Sequence, residues 1–137
     1  MLPALYLSPW SRTVRWSIIV LEPARSWLHS LRRTDRATLV LVSQAIEALS
    51  IEGPGLGRPL VDTVKGSRLA NLKELRPGSS GAAKVRVLFV FDPLRQAVIL
   101  VGGDKAGRWR GWYRSAIPMA EAAFAEHLKR VEEQTHE

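Results

Sequence analysis

Apolar and polar positions alternate most cleanly over residues 84–91, where Val85, Val87, Phe89 and Phe91 fall on one face and Leu88 and Val90 on the other. A strand apolar on both faces belongs in the centre of a sheet. Beyond the turn at Asp92 and Pro93, residues 96–101 form a second β-pattern that pairs with it as a hairpin, until Gly102 and Gly103 break it. Residues 14–20 predict a first strand and residues 68–76 another, with less regular alternation. Elsewhere the period lengthens to three and four residues. Glu22 and Pro23 open a helix whose buried face is Trp27, Leu28 and Leu31. Thr34 and Asp35 cap a second, in which Leu39, Val42, Ile46 and Leu49 line one stripe that ends at Gly53. Ile117, Ala120, Phe124, Leu128 and Val131 mark a last helix from about Pro118. Residues 53–59 and 77–81 are turn-forming, residues 60–67 a loop, and residues 104–115 a basic, aromatic loop.

The predicted order is β-α-α-β-β-β-α. It implies an α+β fold, a small antiparallel-rich sheet packed by helices on one face. Residues 1–13 are a lead-in, and residues 14–137 form one domain, a length that suits a single core.

Charge narrows the class of partner. Lys and Arg number 20 against 13 Asp and Glu, a net +7. Such an excess suits nucleic acid, an anionic membrane surface or an acidic protein. The membrane is the weakest of these, because no predicted helix pairs a strongly basic face with an exposed apolar one. The apolar run at residues 14–21 contains Arg15 and is too short to span a bilayer, so a cytoplasmic protein is expected. There is no cysteine, and His29, His127 and His136 lack metal-ligand spacing, so neither a metal nor another cofactor is expected.

The cations are concentrated in two segments. Arg68, Lys73, Arg76, Lys84 and Arg86 are opposed only by Glu74, and Lys105, Arg108, Arg110 and Arg114 are interleaved with Trp109, Trp112 and Tyr113. Cations neutralise phosphates and aromatic faces stack on unpaired bases, so the mixture suits single-stranded RNA. It equally describes a solvated face with a few aromatic core anchors, and Trp112 fits either role. Arg86 interrupts an apolar strand and needs a partner or an open cleft. It is either the ion-pair partner of Glu74 or a planar fork aimed at a phosphate.

The run Leu56-Gly57-Arg58-Pro59-Leu60-Val61-Asp62-Thr63-Val64-Lys65-Gly66-Ser67-Arg68, followed by Asn71-Leu72-Lys73-Glu74-Leu75-Arg76-Pro77, resembles the actinobacterial branch of the RelE/ParE toxin superfamily. So do Val85-Arg86-Val87-Leu88-Phe89-Val90-Phe91-Asp92-Pro93, then Gly103-Asp104-Lys105, Trp112-Tyr113 and Ile117-Pro118. The match runs in the same order from about residue 14 to residue 131 and is nearest to HigB-like, phage-derived toxins. This resemblance implies a RelE-like (microbial-ribonuclease-like) fold and metal-independent cleavage of mRNA on the ribosome. It also implies neutralisation by a cognate antitoxin, typically a helix-turn-helix DNA-binding protein. Arg76 and Arg86 match the sheet arginines that hold the phosphate, and Lys105 and Tyr113 match positions of acid–base groups. Arg68, Lys73, Lys84, Arg108, Trp109, Arg110, Trp112 and Arg114 are the candidate RNA contacts. HigB members often place a histidine in the cleft, and none lies near Lys73 or Lys105 in this sequence. Two rival functions share the same residues: a ParE-like inhibitor of gyrase, and a non-catalytic RNA- or ribosome-binding module.

Overall fold

A computed structural model describes residues 15–78, 84–107 and 109–135, so the predicted lead-in over residues 1–13 lies outside the described residues. The elements are β1 (Ser17–Val20), α1 (Ala24–Thr34), α2 (Arg36–Glu52), β2 (Val61–Thr63), β3 (Lys73–Leu75), β4 (Val85–Phe91), β5 (Gln96–Asp104) and α3 (Trp109–Thr135). They form one five-stranded sheet in the order β1-β5-β4-β3-β2. β1 runs parallel to β5, and every other pairing is antiparallel.

Each face of the sheet carries its own core. Val85, Val87, Phe89, Ala97 and Ile99 pack against Ala24 of α1 and Val42, Ala45 and Leu49 of α2. Leu88, Val90, Val98 and Leu100 pack against Trp112, Ala116, Ala120 and Phe124 of α3. The two-sided apolar pattern of β4 requires this sandwich, so the expectation of helices on one face is corrected to helices on both. α1 and α2 are separated by Asp35 alone, which caps α2 by accepting from the Thr38 N–H at 3.1 Å and its hydroxyl at 2.6 Å.

Other expectations change as well. The predicted loop at residues 60–67 contains β2, and β3 is shorter than residues 68–76, because the chain turns back where the Val64 N–H bonds to the Leu72 carbonyl at 2.9 Å. Gly102 and Gly103 do not break β5; they carry it between two indole rings. A Cβ on Gly102 would overlap Trp27, and one on Gly103 would overlap Trp112. The last helix begins at Trp109, with Pro118 inside it. Its buried stripe is Trp112, Ala116, Ala120, Phe124 and His127, while the predicted stripe residue Leu128 is 37% exposed.

α3 is pinned at its far end by Asp92, in the β4–β5 turn. The Asp92 carboxylate is buried. It accepts from the backbone N–H groups of Leu94 and Gln96, from the Gln96 amide at 2.6 Å, and pairs with His127 Nε2 at 2.8 Å. His127 is thus a packing residue of α3.

Candidate functional site

The pairing of β2, β3 and β4 places Asp62 opposite Glu74, and Glu74 opposite Leu88. Side chains alternate along a strand, so Arg76 and Arg86 join Asp62 and Glu74 on the face that α3 covers. Lys73 opposes Phe89 and belongs to the other face. It therefore lies across the sheet from Arg76 and Arg86 and does not join them at one site.

Above Glu74, between the sheet, the loop at residues 63–68 and the first turns of α3, lies an open cleft of about 760 Å³. Arg76, Lys105 and Tyr113 line it, and Arg68, Arg110 and Arg114 contribute to its walls. Glu74 is its buried centre, only 3% exposed. Its Oε2 accepts from Arg76 Nε at 2.7 Å, stands in ion-pair contact with Arg76 Nη2 at 2.7 Å, and lies 3.9 Å from Arg86 Nε. Its Oε1 accepts a hydrogen bond from the Tyr113 hydroxyl. Arg76 Nη2 also reaches Asp62 Oδ2 at 3.1 Å. Arg86 donates from Nη1 to the Val85 carbonyl at 2.8 Å, while its buried Nε has no hydrogen-bond partner among the described residues. The ion-pair reading of Arg86 is thereby realised as a long contact beneath an open cleft.

Lys105 follows β5, fixed by its N–H bonding to the Lys84 carbonyl at 2.9 Å, and its ammonium lies 5.4 Å from the centre of the Tyr113 ring. Burial, then the adjacent Arg86, lowers the Lys105 pKa from its ordinary value. Burial, then the bond to Glu74, pushes the Tyr113 hydroxyl well above the ordinary phenol value. The loop wall is tied to α3 by Glu121, whose carboxylate accepts from the Arg68 N–H at 2.7 Å and the Ser67 hydroxyl at 2.8 Å.

The remaining candidates separate clearly. Trp112 is buried against Gly103, the place its core-anchor reading expects. Lys84 is exposed at the start of β4 and does not line the cleft. Arg108 and the side chain of Trp109 lie outside the described residues. Sequence reasoning saw Glu74 only as an ion-pair partner and did not single out Asp62 or Glu121. The available signal was Glu74 itself, a lone acid in a cationic stretch. Among the described residues, no group of three His, Cys, Asp or Glu side chains is placed to hold a metal ion. Nor is any helix among them long and apolar enough to cross a membrane.

The family described as "Phage derived protein Gp49-like (DUF891)" matches residues 26–125, and the chain belongs to it. The chain is 54% identical over 121 residues to a Mycobacterium tuberculosis (strain ATCC 25618 / H37Rv) protein named "Putative toxin HigB2", an alignment covering 88% of this chain and 58% of that relative. It is 47% identical over 105 residues to "Putative toxin HigB3" of the same organism, covering 77% of this chain and 87% of the relative. The HigB-like resemblance is borne out by these matches, and the α+β architecture agrees with the RelE-like expectation. No solved structure matches the chain.

Proposed function

We propose that this chain is the toxin of a toxin–antitoxin pair and that it cleaves mRNA on the ribosome without a metal ion. One observation carries the reading: Arg76, Lys105 and Tyr113, from three separate segments, converge on a single open cleft flanked by Arg110 and Arg114. RNA supplies its own nucleophile, the 2′-OH, so the protein needs a base, cations for the crowded phosphorane and an acid for the leaving oxygen. Lys105, its pKa lowered, takes the 2′ proton as a neutral amine. The 2′ oxygen forms its bond to phosphorus while Arg76 holds the non-bridging oxygens and Arg86, beneath the cleft, adds its positive charge. The bond to the 5′ oxygen breaks as Tyr113 delivers its proton there. The products are a 2′,3′-cyclic phosphate and a 5′-hydroxyl, and the proton gained by Lys105 returns to Tyr113 through solvent.

The cognate antitoxin, a protein carrying a helix-turn-helix domain, would restrain this activity in the cytoplasm. The test is inducible expression with mapping of mRNA ends, with and without the neighbouring gene. New 5′-hydroxyl ends lost in Arg76→Ala support the reading. Growth arrest with intact transcripts and trapped gyrase–DNA complexes would replace it with the ParE-like rival.

A further inference from the structure

Glu74 has no step in the scheme above, yet three of its functional groups are organised around its carboxylate. Arg76 leaves the end of β3, Arg86 rises from β4 and Tyr113 descends from α3, and each turns toward Glu74. A buried carboxylate is unfavourable unless it is paired and its remaining lone pairs are hydrogen-bonded. Here the compensation comes from the Arg76 guanidinium and the Tyr113 phenol, which line the cleft, and from Arg86, which lies beneath it. Arg86 Nε stops 3.9 Å from Glu74 Oε2 and has no hydrogen-bond partner among the described residues. That donor is closed off from solvent, and a small shift of Glu74 would satisfy it. The arrangement is a preset cradle with one donor left over.

We propose that Glu74 is the positioning residue of this cleft, holding Arg76, Arg86 and the Tyr113 hydroxyl in the arrangement that an RNA phosphodiester meets. The proposal rests on the nuclease reading. It also explains why Tyr113 stays protonated until it is used: the hydroxyl is buried and its proton is directed at an anion. When the scissile phosphate enters, it competes with Glu74 for the Arg76 fork and draws the phenol toward the leaving oxygen.

Glu74→Gln keeps the side-chain shape and removes the charge, so it separates holding from filling. Two readouts are needed. On ribosomes carrying a short message, Glu74→Gln should cleave about 10²-fold more slowly, since misplacing reacting groups has that order of effect. Affinity for an uncleavable 2′-deoxy oligonucleotide should be unchanged or higher, because the cleft loses a negative charge. Glu74→Asp, which keeps the anion, should recover part of the rate. The second readout does not depend on cleavage. The chain has two tyrosines, Tyr6 and Tyr113, so Tyr6→Phe leaves Tyr113 as the sole phenol. Its ultraviolet titration should move to lower pH in Glu74→Gln. A folded Glu74→Gln protein that cleaves at the parental rate, or a Tyr113 titration that does not move, overturns the proposal. If the parent itself cleaves no RNA, the nuclease reading fails, and the titration still decides whether Glu74 holds Tyr113.

Discussion

Lys105 and Tyr113 are displaced in opposite directions by the same burial, because burial disfavours whichever form is charged. For Lys105 the neutral amine gains, helped by Arg86; for Tyr113 the neutral phenol gains, helped by Glu74. Cleavage should therefore rise with pH as neutral Lys105 forms, and Tyr113 ionisation should not turn it down below the usual phenol range. Arg86→Ala removes a positive neighbour of Lys105, so the rising limb should move to higher pH as well as losing height. A pH–rate profile on programmed ribosomes reads this, and a limb that stays in place would assign the base to another group. Tyr113→Phe keeps the ring beneath the Lys105 ammonium and deletes only the transferable proton. Its single-turnover rate should fall about 10²–10⁴-fold with RNA affinity preserved. Equal losses in both quantities would make Tyr113 a binding group.

At the scale of elements, the two ends of α3 are fixed by different chemistry. At the far end, hydrogen bonds to Asp92 outweigh the burial that would raise its pKa, and hold it below the ordinary carboxylate value. A depressed carboxylate stabilises the fold when ionised. Its contribution is present above the unfolded value of about 3.9 and is lost as pH falls through the lower folded value. Asp92→Asn should cost about 2 kcal/mol at neutral pH, read as a lower urea midpoint, and should flatten stability in that acidic window. At the near end, Trp112 lies on Gly103, so Gly103→Ala should destabilise by about 1–3 kcal/mol and disturb the adjacent Tyr113. Gly111→Ala meets no atom of the described residues within 4 Å and should stabilise by up to about 1 kcal/mol. Thermal melts of the pair distinguish crowding from a general intolerance of alanine. These glycines also show what the sequence could reveal. β4 and β5 were legible because their pattern is local, as was the Asp35 cap. Gly102 and Gly103 looked like a break because the rings that demand them come from Trp27 and Trp112, remote in the chain. β2 is three residues long, too few for a period to show. The start of α3 was hidden by Pro118 and by the basic, aromatic character of residues 104–115, although Trp112, Ala116, Ala120 and Phe124 are spaced by four. In the cleft, the arginines, Lys105 and Tyr113 could be picked out by type, whereas the central place of Glu74 depends on strand register.

For the whole molecule, the net charge of +7 matters through its placement. The acids at the cleft are spent locally: Glu74 on Arg76 and Tyr113, Asp62 on Arg58 and Arg76, Glu121 on the Arg68 segment. Arg110 and Arg114 belong to the opening turns of α3 on the cleft wall, where a single strand passing to Arg76 would lay its flanking phosphates. Binding of single-stranded RNA releases condensed counterions in proportion to the phosphates neutralised, and the logarithm of the affinity falls with the logarithm of salt by about 0.7 per contact. Replacing both Arg110 and Arg114 by Gln should therefore weaken binding and make the salt slope shallower by about 1.4, whatever the RNA sequence. Lys73→Gln, on the opposite face of the sheet, should leave the slope unchanged although it removes the same kind of charge. If the protein's overall field governed binding, each substitution would weaken it in proportion to the charge lost, and Lys73 would count as much as either arginine. A slope that responds to Arg110 and Arg114 but not to Lys73 identifies the path of the RNA across the molecule, from the α3 wall down to the Arg76 fork.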